Sequence, residues 1–578
     1  MVQDIYDPLT EYVNVFAGRF REVAERTFTQ LAKEGRVDVK ANRETCKRLY
    51  HVEAQIESLA GSISAWQVWR AFMWLALGSA IIFCIIKGNV GGLTAVHVSI
   101  AAIVAIASVV SAVRTKGRVK NLTGQRDTLS QEAKELRSKA WQQMAALNNL
   151  YDWDVLTRMM AETIPRLEFD PYFTTQRLAD LKMTYGWSDS FNKNRSVVYS
   201  QSGLINGNPF VICRTRKMQM GKKTYTGTKT IHWTARERGA DGKYHTVHRS
   251  QTLTATVSAP YPEYFEATRL IYGNTAAPDL TFNRHKSGMA SKVGSFSFRW
   301  KRRKLRKKAR DLKNADYAML TNEDFEVAFD TSDRNNNQQF ALLFTPLAQQ
   351  SMLALLKDTQ AGYGDDFDFL KNRMINVILS DHLQGLSLDM NPSQFMNFDF
   401  EKAKAKFYAV NAQYFRAIYF ALAPLLCVPM YQQIRPPEEI YGRDMQRRSA
   451  FWEHEALANF WGCKRFQHPS CVTNCILKTS ERRDASGGST ITVSAHGYRA
   501  ENRVTYVDRW GGDGRCHKVA VHWQEYFPVT GTGQISMRED DEAPADASQT
   551  QTQRLSRISS FLGDSGLQVY RRHIASRV

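Results

Sequence analysis

AFMWLALGSAIIFCIIKGNVGGLTAVHVSIAAIVAIASVVSAVR, residues 71–114, holds two uncharged stretches, 71–86 and 93–113, separated only by Lys87 and the glycine-rich turn GNVGG at 88–92. The first, sixteen residues at about 1.5 Å each, reaches roughly 24 Å against a hydrocarbon core of about 30 Å. Trp66 and Trp69 extend it as interfacial aromatics, and Arg70 and Lys87 can snorkel. The second, 21 residues rich in Ala, Val and Ile, is long enough by itself. Both runs end abruptly in charge, which favours a two-helix transmembrane hairpin over a buried pair in a soluble core. His97 lies near the start of the second run, at headgroup depth, where a wetted side chain needs no functional role.

The flanks orient the hairpin. Arg114, Lys116, Arg118, Lys120 and Arg126 follow it, Arg70 precedes it, and the connecting loop carries only Lys87. By the positive-inside tendency both chain ends face the cytoplasm and the tiny loop faces out. Outside the apolar runs, Leu49, Val52, Ile56, Leu59, Ile63 and Trp66 recur at a spacing of 3 and 4, and Leu122, Leu129, Ala133, Leu136, Ala140, Leu147 and Leu150 fit the same period. That is the seam of a coiled coil. Joined through a hairpin, the two arms are expected to run antiparallel as a stalk.

Bulk properties set the compartment and the partners. The chain has 578 residues, 43% hydrophobic and 11% aromatic, and a formal charge of +20. It is therefore not a disordered chain, and it should be drawn to phosphate-bearing partners, either nucleic acid or anionic lipid. Eight scattered cysteines are too sparse for a disulfide scaffold and read as reduced cytosolic thiols. The opening MVQDIYDPLTEYVNVF shows no basic region followed by an apolar core, so no cleavable signal peptide is expected.

Beyond about Glu168 the pattern turns to β. SVVYS (196–200) and PFVICRT (209–215) flank a Gly/Asn/Pro turn, and a long hairpin follows. In that hairpin Tyr225, Ile231 and Trp233 share a face, Leu253, Ala255 and Val257 alternate with threonines, and Asp241-Gly242 makes the bend. FEVAF (325–329) reads as a strand, 338–358 as a helix kinked at Pro346, and Phe407, Val410, Tyr414, Ile418 and Leu422 as an amphipathic helix. The apolar run 417–430, broken by Pro424 and Pro429, reads as core. STITVSA (489–495), RVTYVDRW (503–510) and HKVAVHW (517–523) are strands, the last two joined by GGDG (511–514). Past about 530 an acidic, polar stretch predicts disorder, ending in a short docking helix through Leu555, Ile558 and Leu562. The expected class is thus α+β: a transmembrane hairpin with coiled-coil-like arms, then a mixed α+β cytoplasmic body containing antiparallel hairpins. The expected segments are 1–65 (N-terminal helices and first arm), 66–113 (hairpin), 114–163 (second arm), 164–300 (β-rich), 301–320 (basic connector), 321–530 (α+β) and 531–578 (tail).

The hairpin together with SGLINGNPF (202–210), YGNTAAPDLTF (272–282) and FEVAFDTSDRNNNQQFALLFTPLAQQSMLALL (325–356) resembles a broad group of uncharacterised bacterial membrane proteins. Those proteins carry a cytoplasmic α+β domain of unknown function. The likeness covers the hairpin and residues 170–430; it implies a bacterial inner-membrane protein and carries over no catalytic residue.

Four constellations invite chemistry. The run WKRRKLRKKARDLK (300–313) holds eight cations between positions 301 and 310: Lys301, Arg302, Arg303, Lys304, Arg306, Lys307, Lys308 and Arg310. As a helix, Leu305, Ala309 and Leu312 form a narrow apolar stripe and the cations the rest, a basic amphipathic helix. It suits a solvated connector, the anionic headgroups of the leaflet or nucleic acid, for which Phe296, Phe298 and Trp300 offer stacking surfaces. His454, Cys463, His468, Cys471 and Cys475 are ligand types zinc prefers, although Cys475 enters an apolar, strand-like run. Asp365, Asp366 and Asp368 suit a divalent metal or, more simply, the N-terminus of a helix. Cys516 and His517 are adjacent, and on a strand neighbours point to opposite faces. No phosphate-cradling glycine loop, HExxH or nucleophile elbow is present in the sequence. The expected function is a membrane-anchored binding or scaffold protein, self-associating or holding another protein, with no catalytic residue assigned. The alternatives are a metal-dependent, zinc-type hydrolase and a membrane-tethered nucleic-acid-binding factor.

Overall fold

The computed structural model describes residues 4–89, 95–238, 243–310, 317–435, 448–483, 488–539, 568–571 and 573–577. The chain divides into two compact units, one formed by Met1–Ala24, Asp152–Asn391 and Asn411–Val578, the other by Glu25–Tyr151 and Pro392–Val410. Its class is α+β with antiparallel sheets. After α1 (Pro8–Glu11) and α2 (Ala17–Glu34) come α3 (Val39–Asn89) and α4 (Ala95–Asn148). Both are long and apolar enough to cross a membrane.

Within the smaller unit part of the apolar positions spaced by 3 and 4 pack together. Leu49 and Val52 of α3 are buried with Ala133 of α4, and Ile56, Leu129, Leu136 and Phe398 close around them. Charged and polar pairs tie the same two helices: Arg48 to Glu132 at 2.5 Å, Glu53 to Arg137 at 2.6 Å, and Trp69 Nε1 donating to Ser111 Oγ at 3.2 Å. Along 71–86 and 98–113 the large apolar side chains are instead mostly exposed, among them Phe72, Leu75, Ile82, Ile103 and Val113. A protein in water does not leave two such stretches uncovered.

The larger unit is built on two sheets. Its elements are α5 (Val155–Thr163), β1 (Leu167–Phe169), α6 (Thr175–Met183), β2 (Arg195–Ile205), β3 (Asn208–Arg238), β4 (Tyr244–Gly273), β5 (Thr281–Arg284), α7 (Phe296–Arg310), α8 (Glu323–Phe329), α9 (Asn337–Leu343), α10 (Pro346–Lys357), β6 (Phe367–Asn372), β7 (Ile375–Ser380), α11 (Phe400–Leu426), α12 (Phe451–Trp461), β8 (Ile476–Arg483), β9 (Ser489–Trp510), β10 (Cys516–Glu539), β11 (Gln568–Tyr570) and β12 (His573–Arg577). Of these, α11 starts in the smaller unit and ends in the larger. The first sheet runs β1-β2-β3-β4-β7-β6-β5 and the second β11-β12-β10-β9-β8. Helix α12 packs against β2 of one and β8 of the other. It carries Trp452, Ala456 and Leu457 into a core with Phe173, Val197, Val211, Leu477, Ile491, Val493 and Ile535. The two long hairpins, β3–β4 and β9–β10, make a second core from Ile231, Leu253, Ala255, Val519 and Val521. Gly227 permits it: a Cβ there would overlap the Ala520 carbonyl.

Several expectations change. FEVAF is helix α8: the Asn322 side chain accepts the Phe325 N–H, and acids fill the first turn. Phe325, Val327, Ala328 and Phe329 are all buried, so alternation along them carries no strand signal. The expected kink at Pro346 is a break: α9 and α10 meet at 74°, with Thr345 capping the second. The acidic triplet does not open a helix but leads into β6. Strand β10 continues to Glu539, past the position where a disordered tail was expected, and Gln568–Tyr570, expected in a docking helix, is a strand. Leu555, Ile558, Leu562, Leu312 and the Asp241-Gly242 bend lie outside the described residues.

Candidate anionic-surface site on helix α7

Helix α7 begins after Gly294-Ser295, where the Ser295 hydroxyl accepts the Phe298 N–H at 3.2 Å. One face is core: Phe298 and Leu305 are buried with Tyr317 and Val327, and Met289, Ala309 and Met319 pack around them. Phe298, expected to be a stacking surface, is therefore unavailable to a ligand; its ring completes the core that seats the helix.

The cations divide by face. Lys301 pairs with Asp330 at 2.6 Å, Arg302 with Asp324 at 2.5 Å and Arg306 with Glu323 at 2.5 Å. Lys308 donates to the Ser332 carbonyl at 2.6 Å. The hydrogen bond from Arg306 holds the Glu323 carboxyl below its ordinary value. These four expected site residues are thus engaged within the protein. The outer face carries Phe296, 84% exposed, and Trp300, 60% exposed. With them stand Arg299, Arg303, Lys304, Lys307 and Arg310, all exposed. Among the described residues these five form no ion pair; Lys304 Nζ lies 5.8 Å from the Trp300 ring centre. A cavity of about 720 Å³ beside the helix is lined by Met289, Trp300, Leu305, Lys304, Lys307 and Lys308; Asp330, also on its wall, is held by Lys301. Arg299 was not singled out in the sequence, because it stands before the dense run; helical phase is the signal that finds it.

The Cys/His set is only partly gathered. Cys471 and Cys475 sulfurs lie 3.8 Å apart, and Cys463 Sγ is 3.7 Å from Asn474 Oδ1. Gly497 of β9 faces the Cys471 and Cys475 sulfurs, where a Cβ would collide. His454 is buried on α12 against the Ser449 hydroxyl at 3.0 Å, and His468 is turned to Ser470 at 2.7 Å. Among the described residues no group of three or more His, Cys, Asp or Glu is arranged to hold a metal ion.

Within the thiol cluster the hydrogen bond with Cys475 brings the Cys463 thiol down to about 6 and pushes Cys475 up. Cys463 is also partly exposed, while Cys213, Cys427 and Cys475 are buried. A thiolate is the reactive form, so limiting iodoacetamide at pH 7 should modify Cys463 far ahead of those three, at a rate that rises through about pH 6. Peptide mass spectrometry reads both.

The acidic triplet is spent on the protein itself. Asp365 pairs with the buried Arg284 and accepts the Ser287 and Gly288 N–H groups, Asp366 meets His382 Nδ1 at 2.5 Å, and Asp368 meets His285 at 3.2 Å. His517 bonds to Asp513 at 2.9 Å, while Cys516 is exposed. No protein-family model matches the chain, and neither a curated protein nor a solved structure matches it. The group suggested by resemblance therefore rests on the sequence motifs alone.

Proposed function

We propose that this chain is a membrane-anchored binding or scaffold protein, placed by α3 and α4 at the cytoplasmic face of a bacterial inner membrane with both ends inside. The observation that carries the reading is the pair of helices, each long and apolar enough to cross, with large apolar side chains exposed along the apolar stretches. Contact positions rise along α3 as they fall along α4, Arg48 with Glu132 and Trp69 with Ser111. That order supports an antiparallel hairpin with a coiled-coil-like stalk. The flanking arginines and lysines support its orientation. Binding is favoured over catalysis because the acidic triplet is already bonded to Arg284, His382 and His285, and the Cys/His set is split between separate partners.

Alkaline carbonate extraction of membranes tests the anchoring. The chain should stay in the pellet and leave it only with detergent; release into the alkaline supernatant would refute the reading.

A further inference from the structure

We propose that the outer face of α7 docks on the anionic phospholipid headgroups of the leaflet, with Phe296 and Trp300 among the headgroups and Arg299, Arg303, Lys304, Lys307 and Arg310 on lipid phosphates. The inference rests on the anchored reading, which brings an anionic surface close at high effective concentration.

The geometry of the helix makes the case. At about 100° per residue, positions 296, 300, 303, 307 and 310, spaced 4, 3, 4 and 3, form a single stripe. Arg299 and Lys304 flank it. Among the described residues the acids that pair with α7, Glu323, Asp324 and Asp330, all meet other cations of the helix, Arg306, Arg302 and Lys301. Among the described residues neutralisation is therefore one-sided, and it both fixes the helix to the body and leaves the stripe cationic. A solvated connector would account for the cations but not for a phenylalanine and a tryptophan exposed on the same face. An aromatic pair in line with Arg and Lys is what a helix lying in a membrane interface presents, Trp being suited to the headgroup zone. The adjoining cavity, with Lys304, Lys307 and Lys308 beside Met289, Trp300 and Leu305, offers room for a phosphate next to an apolar wall. Single-stranded nucleic acid would also accept cations and rings, but it has no use for the tether.

The test places a photoreactive p-benzoylphenylalanine at position 296 of the full chain. The protein is reconstituted in phosphatidylcholine vesicles with or without phosphatidylglycerol, in the presence of single-stranded RNA. Lipid adducts are expected with phosphatidylglycerol. They should fall at least about tenfold without it, and likewise when Arg299, Arg303, Lys304, Lys307 and Arg310 are all changed to Gln, since each cation near an anionic leaflet is worth roughly fivefold in binding and a loss of two is already enough. Adducts that are absent, independent of the anionic lipid, or formed on RNA in place of lipid would each overturn the proposal. The comparison of lipids uses the same protein, so it stands even if the five-fold variant misfolds. Alkaline extraction of the same vesicles separates the two ideas. A retained chain without lipid adducts defeats only the α7 proposal, whereas a stripped chain that still forms anionic-lipid-dependent adducts defeats only the anchoring.

Discussion

Changing Arg571 to alanine is expected to destabilise the larger unit by about 3–5 kcal/mol, the cost of leaving a buried charge without its partner. Arg571 sits between β11 and β12, almost fully enclosed, with Nη1 3.1 Å from Glu453 Oε1 and further bonds to the Ser200 carbonyl and the Gln201 side chain. Glu453 on α12 is wholly buried and also accepts from the Phe173 N–H and the Ser200 hydroxyl, each at 2.9 Å. Without the guanidinium those neutral donors must hold a desolvated carboxylate alone. Arg571 thereby ties the end of β11 to β2 and α12, beside Tyr570, which packs on Phe460 of α12. Denaturant unfolding of the detergent-purified chain reads the loss. The exposed Arg482, changed in the same way, should shift stability by no more than about 0.5 kcal/mol.

The second large effect is on pH dependence. Lys371 on β6 is buried, its ammonium meeting the carbonyls of Ala276 at 3.1 Å and Arg373 at 2.6 Å and lying 5.6 Å from the Tyr431 ring centre, and desolvation brings it down to about 7. Below that pH the folded and unfolded chains both hold the proton and the burial penalty is felt in full. Between about 7 and the ordinary value of 10.5 the unfolded chain keeps a proton that the folded chain has lost, so stability rises with pH. Glu455 has the opposite sense: desolvation raises it from 4.5 to about 7, and its contribution to stability falls as pH climbs through that range. Together the two groups predict a stability minimum near pH 7. Lys371→Met should be more stable than the parent at pH 6 by roughly 2–4 kcal/mol, given about 1.4 kcal/mol per pH unit. It should also lose the rise above pH 7. Equal pH profiles for the two proteins would show that Lys371 is not the cause.

How legible this was in the sequence depended on what carried the signal. The membrane-length helices could be read because two long uncharged runs need only composition. The long hairpins could be read because Tyr225, Ile231 and Trp233 alternate with polar residues over a surface half buried and half wet. Alternation failed at 325–329, where the segment is enclosed on all sides and the deciding information was the Asn322 cap and the acids behind it. Reading Asp365, Asp366 and Asp368 as the start of a helix failed for another reason, since their partners Arg284, His382 and His285 are distant in sequence and invisible to local pattern. The basic run shows the same limit at the candidate site. Its charge was plain, but which half is paired depends on Glu323, Asp324 and Asp330, and only the fold brings them to one side of α7. The disposition of His454 and His468 likewise follows from α12 and the turn after it, not from spacing.

The claim on which the rest depends is that α3 and α4 cross the membrane with both flanks inside. Intact cells expressing a Val90→Cys variant, treated with a membrane-impermeant maleimide, test it most directly. Position 90 is expected to be labelled from outside, and the exposed Cys516 only after permeabilisation. Labelling of Cys516 in intact cells, or protection of position 90 until the membrane is opened, would contradict it.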